Sequence, residues 1–130
     1  GALTWNSVAL CTASVEIDSG NTVTMRECVN ASDRSGYISA IVTDRAPVIT
    51  ADPESVLVAT QDRDALWLTS SAQAFSMQIG ATGNSITIAA PKAQLENKQQ
   101  GDRNGIASDD LTWLCTAGSS ADTELTITFD

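Results

Sequence analysis

Four oxygen-bearing side chains lie close together near the end of the chain. Asp102, Asn104, Asp109 and Asp110 fall within nine residues of one another. Hard cations such as calcium prefer several carboxylate and amide oxygens from one loop. Their spacing does not follow the calcium-loop pattern of EF-hands, and Asp, Asn and Gly are also the residues that turns use. The sequence therefore favours turn formation here over a metal site.

Catalytic chemistry has little support elsewhere in the chain. Histidine, which is the commonest general base and metal ligand, is absent. A pair of carboxylates could hydrolyse a glycosidic bond. With sixteen acidic residues, however, such pairs arise by chance. We expect no enzyme, no metal and no cofactor, with a metal-assisted or carboxylate hydrolase as a remote alternative.

The three tryptophans offer a choice between sugar stacking and core packing. Trp5 and Trp113 keep phase with apolar neighbours in alternating segments, which favours a place in the core. Trp67 lies in the short apolar run 65–68, which fits either a strand or a buried connection.

Charge restricts the partners of this chain. Seven basic residues face sixteen acidic ones, giving a formal net charge of −9 and a pI near 4.1. Tight nucleic-acid binding needs Lys and Arg to neutralise phosphates, so it is disfavoured. A conduit through which DNA slides would carry the same sign of charge as DNA. No apolar run approaches the length of a membrane helix, so we expect no membrane anchor.

The cysteine count is odd and lacks zinc-ligand spacing. Cys11 and Cys115 fall on the apolar faces of predicted strands, where a reduced thiol packs as a small hydrophobic group. We expect free, buried thiols, with a Cys11–Cys28 disulfide as the alternative.

Alternation of apolar and polar residues predicts strands along most of the chain. A strand over residues 9–17 should form a first hairpin with 22–28 through the turn at 19–21, and a further strand covers 37–43. Phe75, Met77 and Ile79 should form a second hairpin with 85–90 through Gly83-Asn84. A third should join Leu111, Trp113 and Cys115 to Leu125, Ile127 and Phe129.

One helix is expected among the strands. Asp52 can act as its N-cap, Pro53 fits the first helical position and Glu54 favours the positive end of the helix dipole. These residues predict a short helix from Pro53 to Gln61. The polar stretch 92–108 predicts a long loop, and loops of that length are often functional.

The fold class that follows is mostly β. We expect one domain over residues 1–130, built as a two-sheet β-sandwich or half-barrel of about eight strands, with one short flanking helix near residues 53–61. Low charge and Thr-rich strand faces favour burial of those faces by neighbouring copies.

Several ordered motifs resemble one protein family. They are Val42-Thr43-Asp44-Arg45-Ala46-Pro47, Asp52-Pro53-Glu54, Ala90-Pro91-Lys92-Ala93-Gln94, Gly101-Asp102-Arg103-Asn104-Gly105 and Glu124-Leu125-Thr126-Ile127-Thr128-Phe129. In this order, and with the opening Gly1-Ala2-Leu3-Thr4-Trp5-Asn6, the chain is similar to the tail tube (major tail) proteins of long-tailed bacteriophages. Because members of that family are commonly longer, the resemblance also fits the C-terminal portion of a longer chain.

The resemblance implies a structural role in the virion. Such subunits self-assemble into rings, usually hexameric, that stack into a tube whose acidic lumen conducts genomic DNA without tight binding. It implies self-association, contact with other tail proteins and assembly in the host cytoplasm. The polar segment would then reach an adjacent subunit or ring, and its candidate interface residues are Lys92, Gln94, Glu96, Lys98, Asp102, Arg103 and Asn104.

A binding module is the alternative function. An immunoglobulin-like domain on a virion or cell surface would also be built from short strands. The Cys…Trp…Cys spacing of true immunoglobulin domains is missing, although other β-sandwiches lack it as well.

Overall fold

Antiparallel strands make up most of the molecule. The computed structural model describes residues 2–130, and within them the chain forms ten strands and one helix. In chain order these are β1 (Ala2–Trp5), β2 (Val8–Ala9), β3 (Thr12–Asp18), β4 (Asn21–Glu27), β5 (Tyr37–Arg45), β6 (Val48–Pro53), α1 (Arg63–Leu68), β7 (Ala72–Ala81), β8 (Asn84–Arg103), β9 (Ile106–Thr116) and β10 (Thr126–Phe129).

The strands form two sheets. The larger has eight strands in the order β2-β1-β7-β8-β9-β6-β3, and β10 also pairs with β8. The smaller consists of β4 and β5. The predicted fold class, mostly β in two sheets with one short helix, is confirmed.

The core contains large aromatic side chains from three strands of the larger sheet. Trp5 and Trp113 are fully buried, with ring centroids 5.4 Å apart and edge to face, and Phe75 lies 5.6 Å from Trp113. The indole Nε1 of Trp5 donates a hydrogen bond to the carbonyl oxygen of Ala93 (3.3 Å). The expectation that Trp5 and Trp113 pack in the core is therefore confirmed.

The predicted position of the helix is wrong. Pro53 ends β6, where it is buried opposite Thr12, and Asp52 accepts hydrogen bonds from β3 instead of capping a helix. The helix begins ten residues later. Asp62 caps it by accepting a hydrogen bond from the backbone N–H of Ala65 (2.8 Å). A Pro at the end of a strand and a Pro at the first helical position look the same locally, so pairing with β3 decided the outcome.

Helix α1 packs against β8. Trp67, predicted as a strand or buried connection, lies on α1 with 39% of its surface exposed. Its indole Nε1 donates to the carbonyl oxygen of Glu96 (3.0 Å). The ammonium group of Lys98 meets a carboxylate oxygen of Asp64 at 2.7 Å.

The predicted loop at 92–108 is also wrong. These residues belong to β8 and β9, which pair from Lys92 and Thr116 out to Arg103 and Ile106. The turn is Asn104-Gly105, and both residues have positive φ (55° and 85°), as a tight hairpin turn requires. Polar residues on both faces of this ribbon, with a β-bulge between Leu95 and Asn97, obscured the alternation.

Of the three predicted hairpins, the second is confirmed. β7 and β8 pair through the turn at residues 82–83. The first is wrong because β3 pairs with β6, and β4 pairs with β5. The third is wrong because β10 pairs with residues 86–89 of β8, while β9 lies between β8 and β6. Local turn residues did not reveal these long-range pairings.

The cysteines follow the predictions in part. No two of them are bonded in the part of the chain that the structure describes. Cys115 is buried, and burial raises the pKa of its thiol to about 11. Cys11 is exposed, contrary to prediction. The strand is interrupted before Thr12 and irregular between Thr12 and Val15, so Leu10 is the buried residue in place of Cys11. Cys28 is partly buried.

Candidate subunit interface

Residues 21–45 form a ribbon that extends from the larger sheet, and we call it the arm. Its strands β4 and β5 pair with each other and, within residues 2–130, with no other strand. The arm continues the β3–β6 ladder, since Asp18 pairs with Val48 and, a few residues on, Asn21 pairs with Arg45. One long hairpin therefore has its base in the sheet and its outer half beyond it.

A glycine corner joins the arm to the sheet. Gly20 has a φ of +57°, and a Cβ atom on it would lie 2.1 Å from the carbonyl oxygen of Ala46. The backbone N–H of Ala46 donates to the carbonyl oxygen of Gly20 (3.3 Å). Arg45 forms an ion pair with Asp122 on the connection between β9 and β10. This close approach of two backbones sets how the arm leaves the sheet.

Apolar side chains are exposed along the arm. An isolated two-stranded ribbon is at best marginally stable in water, and contiguous exposed apolar surface marks an interaction site. Val29 at the tip is 99% exposed, and Val23 is 61% exposed. The other large apolar residues exposed on the arm are Met25, Tyr37, Ile38, Ile41 and Val42.

Charge is divided unevenly between the arm and the rest of the chain. The arm carries three arginines and three acidic residues, whereas the rest carries four basic and thirteen acidic residues. The formal charge of −9 therefore belongs to the rest, and the arm is neutral. Arg26 and Arg34 of the arm form no ion pair with any residue between 2 and 130.

An acidic cluster at the opposite end of the sheet is organised around Asp52. Its Oδ1 accepts hydrogen bonds from the Thr12 hydroxyl (2.6 Å) and from the N–H groups of Ala13 (3.1 Å) and Ser14 (2.8 Å). Arg103 lies 3.5 Å from its Oδ2 and also contacts Glu54 (3.0 Å). The Thr12 hydroxyl above all, with these N–H groups and Arg103, lowers the pKa of Asp52 to about 2.

A buried ion pair ties α1 to the larger sheet. The guanidinium Nη1 of Arg63 lies 2.7 Å from Oδ2 of Asp109 and donates to the carbonyl oxygen of Glu54 (3.1 Å). Its Nε donates to Gln61 (3.1 Å), whose amide donates to the carbonyl oxygen of Trp5 (3.0 Å). This network fixes α1 in position and has the character of a structural site.

The acidic residues considered for calcium are engaged in other contacts. Asp109 pairs with Arg63, and Asp102 accepts a hydrogen bond from the N–H of Gly105 (3.0 Å) inside the β8–β9 turn. Among residues 2–130, no group of three or more His, Cys, Asp or Glu side chains is arranged to hold a metal ion. Over the same residues, no helix is long and apolar enough to span a bilayer.

The seven candidate interface residues lie along β8 and its turn, not on one loop. Lys92 and Glu96 are exposed and form no ion pair with the described residues. Lys98 is held by Asp64, and Arg103 by Asp52 and Glu54. Of the remaining three, Gln94 is half-buried, while Asp102 and Asn104 are exposed at the hairpin end.

The sequence patterns did not reveal the most exposed candidate surface, the arm. Its two strands were predicted, but their pairing with each other away from the sheet was not. The available signal was the content of Val, Ile, Met and Tyr in two segments flanking a polar turn, with no third apolar segment in register with them.

Comparison with known proteins gives a likeness in fold. No protein family matches the sequence, and no curated protein matches it. Among solved structures, the fold is similar to a chain in the virion of a native gene transfer agent particle, with a TM-score of 0.58 and 14% identity. The likeness covers 93% of this chain and 88% of that chain. The two chains thus share one architecture over nearly their full lengths.

Proposed function

We propose that this chain is a structural, non-enzymatic subunit of a phage tail tube, located in the virion. The observation that carries the proposal is the likeness in fold, over 93% of the chain, to a chain of a virion particle. The motifs that resemble tail tube proteins support it independently of the fold.

Self-assembly into rings is the second part of the proposal. The larger sheet ends in β3 on one side and the two-residue strand β2 on the other. Unpaired strand edges invite pairing with another copy, and closure of a ring removes those edges. We propose hexameric rings that stack into a tube, with the exposed residues of β8 and of the turn that follows it, among them Lys92, Glu96 and Asn104, at subunit contacts.

The charge of the subunit suits passage of DNA. Outside the arm, thirteen acidic residues face four basic ones, and three of those four are already in ion pairs. A lumen lined by such a surface repels phosphates weakly and uniformly, so DNA passes without adhering. Other tail proteins would contact the ends of the tube, and assembly would take place in the host cytoplasm.

Electron microscopy of the purified chain tests this proposal. We expect rings or tubes of uniform diameter in negative stain and a hexamer-sized species by light scattering coupled to size exclusion. A chain that stays monomeric over the whole accessible concentration range, with or without the residues that flank it in a longer protein, would contradict the proposal. Glycan binding by such a monomer would instead support the binding-module alternative.

A further inference from the structure

We propose that Asn104 is a site of spontaneous deamidation, and that the carboxylate of Asp102 slows this reaction in the folded protein. The site is the turn between β8 and β9, where Asn104 is followed by Gly105. Water is the only other reactant. The inference goes beyond the proposed function and does not depend on it.

The sequence at this turn is the one in which an asparagine reacts most readily. Asn104 is the only asparagine of the chain that precedes a glycine. Because glycine has no Cβ atom, its backbone nitrogen is the least hindered in an attack on the preceding side chain. The residues that follow the other asparagines all carry side chains: Ser7, Thr22, Ala31, Ser85 and Lys98.

The reaction passes through a cyclic imide. The backbone nitrogen of Gly105 loses its proton and bonds to Cγ of Asn104. The Cγ–Nδ2 bond breaks, and the departing nitrogen takes up a proton and leaves as ammonia. Water then opens the ring at either of its carbonyl carbons, which gives aspartate or isoaspartate at this position. No oxidant or reductant takes part, so the chain and solvent supply every atom that is needed.

Both reacting residues are open to solvent. Asn104 and Gly105 are exposed, and no atom lies within 4 Å of the position that a Cβ atom of Gly105 would take. The ladder between β8 and β9 ends with the pairing of Arg103 and Ile106, so the reacting atoms lie in the turn itself. Base and water can therefore reach the site, and ammonia can leave it.

The carboxylate of Asp102 protects the attacking nitrogen. Its Oδ1 accepts a hydrogen bond from the backbone N–H of Gly105 (3.0 Å). This bond favours the protonated nitrogen, and the negative charge of the carboxylate opposes a second negative charge beside it. Because the bond lies at an exposed hairpin end, it opens more often than a bond in the core. The open fraction then sets the rate of deamidation.

Completion of the reaction would alter the end of the β8–β9 ribbon in two ways. Either product adds a negative charge to a chain whose formal charge is already −9, and this charge would repel Asp102 nearby. Isoaspartate also lengthens the backbone by a methylene group. Since the length of a hairpin turn fixes the register of its strands, the pairing of Arg103 with Ile106 would be lost.

Peptide mass spectrometry of the aged protein tests the inference. The folded chain is kept at mildly alkaline pH, and each asparagine is followed for loss of ammonia and for isoaspartate. We expect Asn104 to react before the other asparagines. Asp102→Ala should speed its reaction about fivefold, as the loss of one hydrogen bond implies. Asp102→Asn keeps an acceptor oxygen and should stay nearer the parent, whereas Gly105→Ala should nearly stop the reaction.

A comparison without any variant keeps the test independent of folding defects. The parent chain in urea lacks the hydrogen bond to Asp102, so its Asn104 should react faster than in the folded chain. Equal rates in the folded and unfolded parent would overturn the protection. Equal rates for Asp102→Ala and the parent, with unchanged urea midpoints, would overturn the role of Asp102. Earlier reaction of another asparagine in the folded chain would overturn the assignment of the site.

Discussion

Arg63 and Asp109 form an ion pair that is almost wholly removed from water, with 3% and 6% of their side chains exposed. Breaking such a pair leaves an uncompensated buried charge. We predict that Arg63→Met lowers the free energy of unfolding by about 3–5 kcal/mol, as measured by urea denaturation.

Two comparisons test that explanation. The double variant Arg63→Met with Asp109→Leu should recover much of the loss because neither charge then remains. Lys98→Met removes a pair whose carboxylate is largely exposed and should cost less than about 1 kcal/mol. Equal losses for Arg63→Met and Lys98→Met would contradict the role given to burial.

Asp52 should make stability depend on pH in the acid range. Its folded pKa of about 2 lies below the ordinary aspartate value of 3.8. The carboxylate therefore stabilises the fold above pH 3.8, and this contribution is lost as the pH falls towards 2. The Asp52 side chain is 27% exposed, so we expect a contribution of about 1 kcal/mol.

The measurement is the urea midpoint of Asp52→Asn between pH 2 and pH 7. The variant should be less stable than the parent at pH 7 and should approach it near pH 2. Glu16→Gln, an exposed acid on the same strand pair, is the control and should shift the midpoint little at any pH. A constant difference between Asp52→Asn and its parent across this range would rule out the linkage.

At the scale of elements, the corner at Gly20 is the most constrained connection. A Cβ there would meet the carbonyl oxygen of Ala46 at 2.1 Å, and the φ of +57° disfavours any side chain. We predict that Gly20→Ala lowers the free energy of unfolding by more than about 2 kcal/mol. It should also impair assembly, because the arm would then leave the sheet in a different direction.

Gly36 offers a matched control at the far end of the arm. It also has positive φ (+84°), but no atom lies within 4 Å of the position its Cβ would take. Gly36→Ala should therefore cost about 1 kcal/mol through backbone strain alone. Similar unfolding free energies for the two alanine variants would refute the contact argument. Thermal melts and negative-stain images provide both readouts.

The arm should be dispensable for folding but required for assembly. Replacing residues 21–45 with a short Asn-Gly turn would close the β3–β6 ladder directly. The shortened chain should keep the circular-dichroism spectrum of a folded β protein yet remain monomeric by light scattering. An unfolded product, or tubes from the shortened chain, would each contradict this separation of roles.

Sequence patterns were sufficient where local chemistry determines structure. Trp5 and Trp113 sit in phase with apolar neighbours, and the β7–β8 hairpin has a Gly at its turn, so both were predictable. The wrong predictions concern segments whose structure is decided by residues distant in the sequence. The Asp52-Pro53 pair fits a helix start in isolation, but both residues contact β3 instead. The separation of the arm from the larger sheet depends on which strands pair, and local sequence does not determine that. Contacts with another chain leave no local periodicity to read.

For the molecule as a whole, the uneven distribution of charge sets its behaviour towards DNA. Three of the four basic residues outside the arm are in ion pairs, and the net charge there is −9. We predict no retardation of duplex DNA by subunits or tubes in gel-shift experiments, even at low salt, where phosphate contacts are strongest. A shift that weakens as salt rises would indicate phosphate binding and contradict a non-adhesive lumen.

The arm's dependence on β3 and β6 has a consequence for the order of events in time. A two-stranded ribbon is at best marginally stable alone in water, and the ends of the arm are held together by the pairing of Asp18 with Val48 in the larger sheet. A newly made chain would thus lack an ordered arm until its own larger sheet has folded. Maturation would then precede polymerisation, which protects half-folded subunits from being built into a growing polymer.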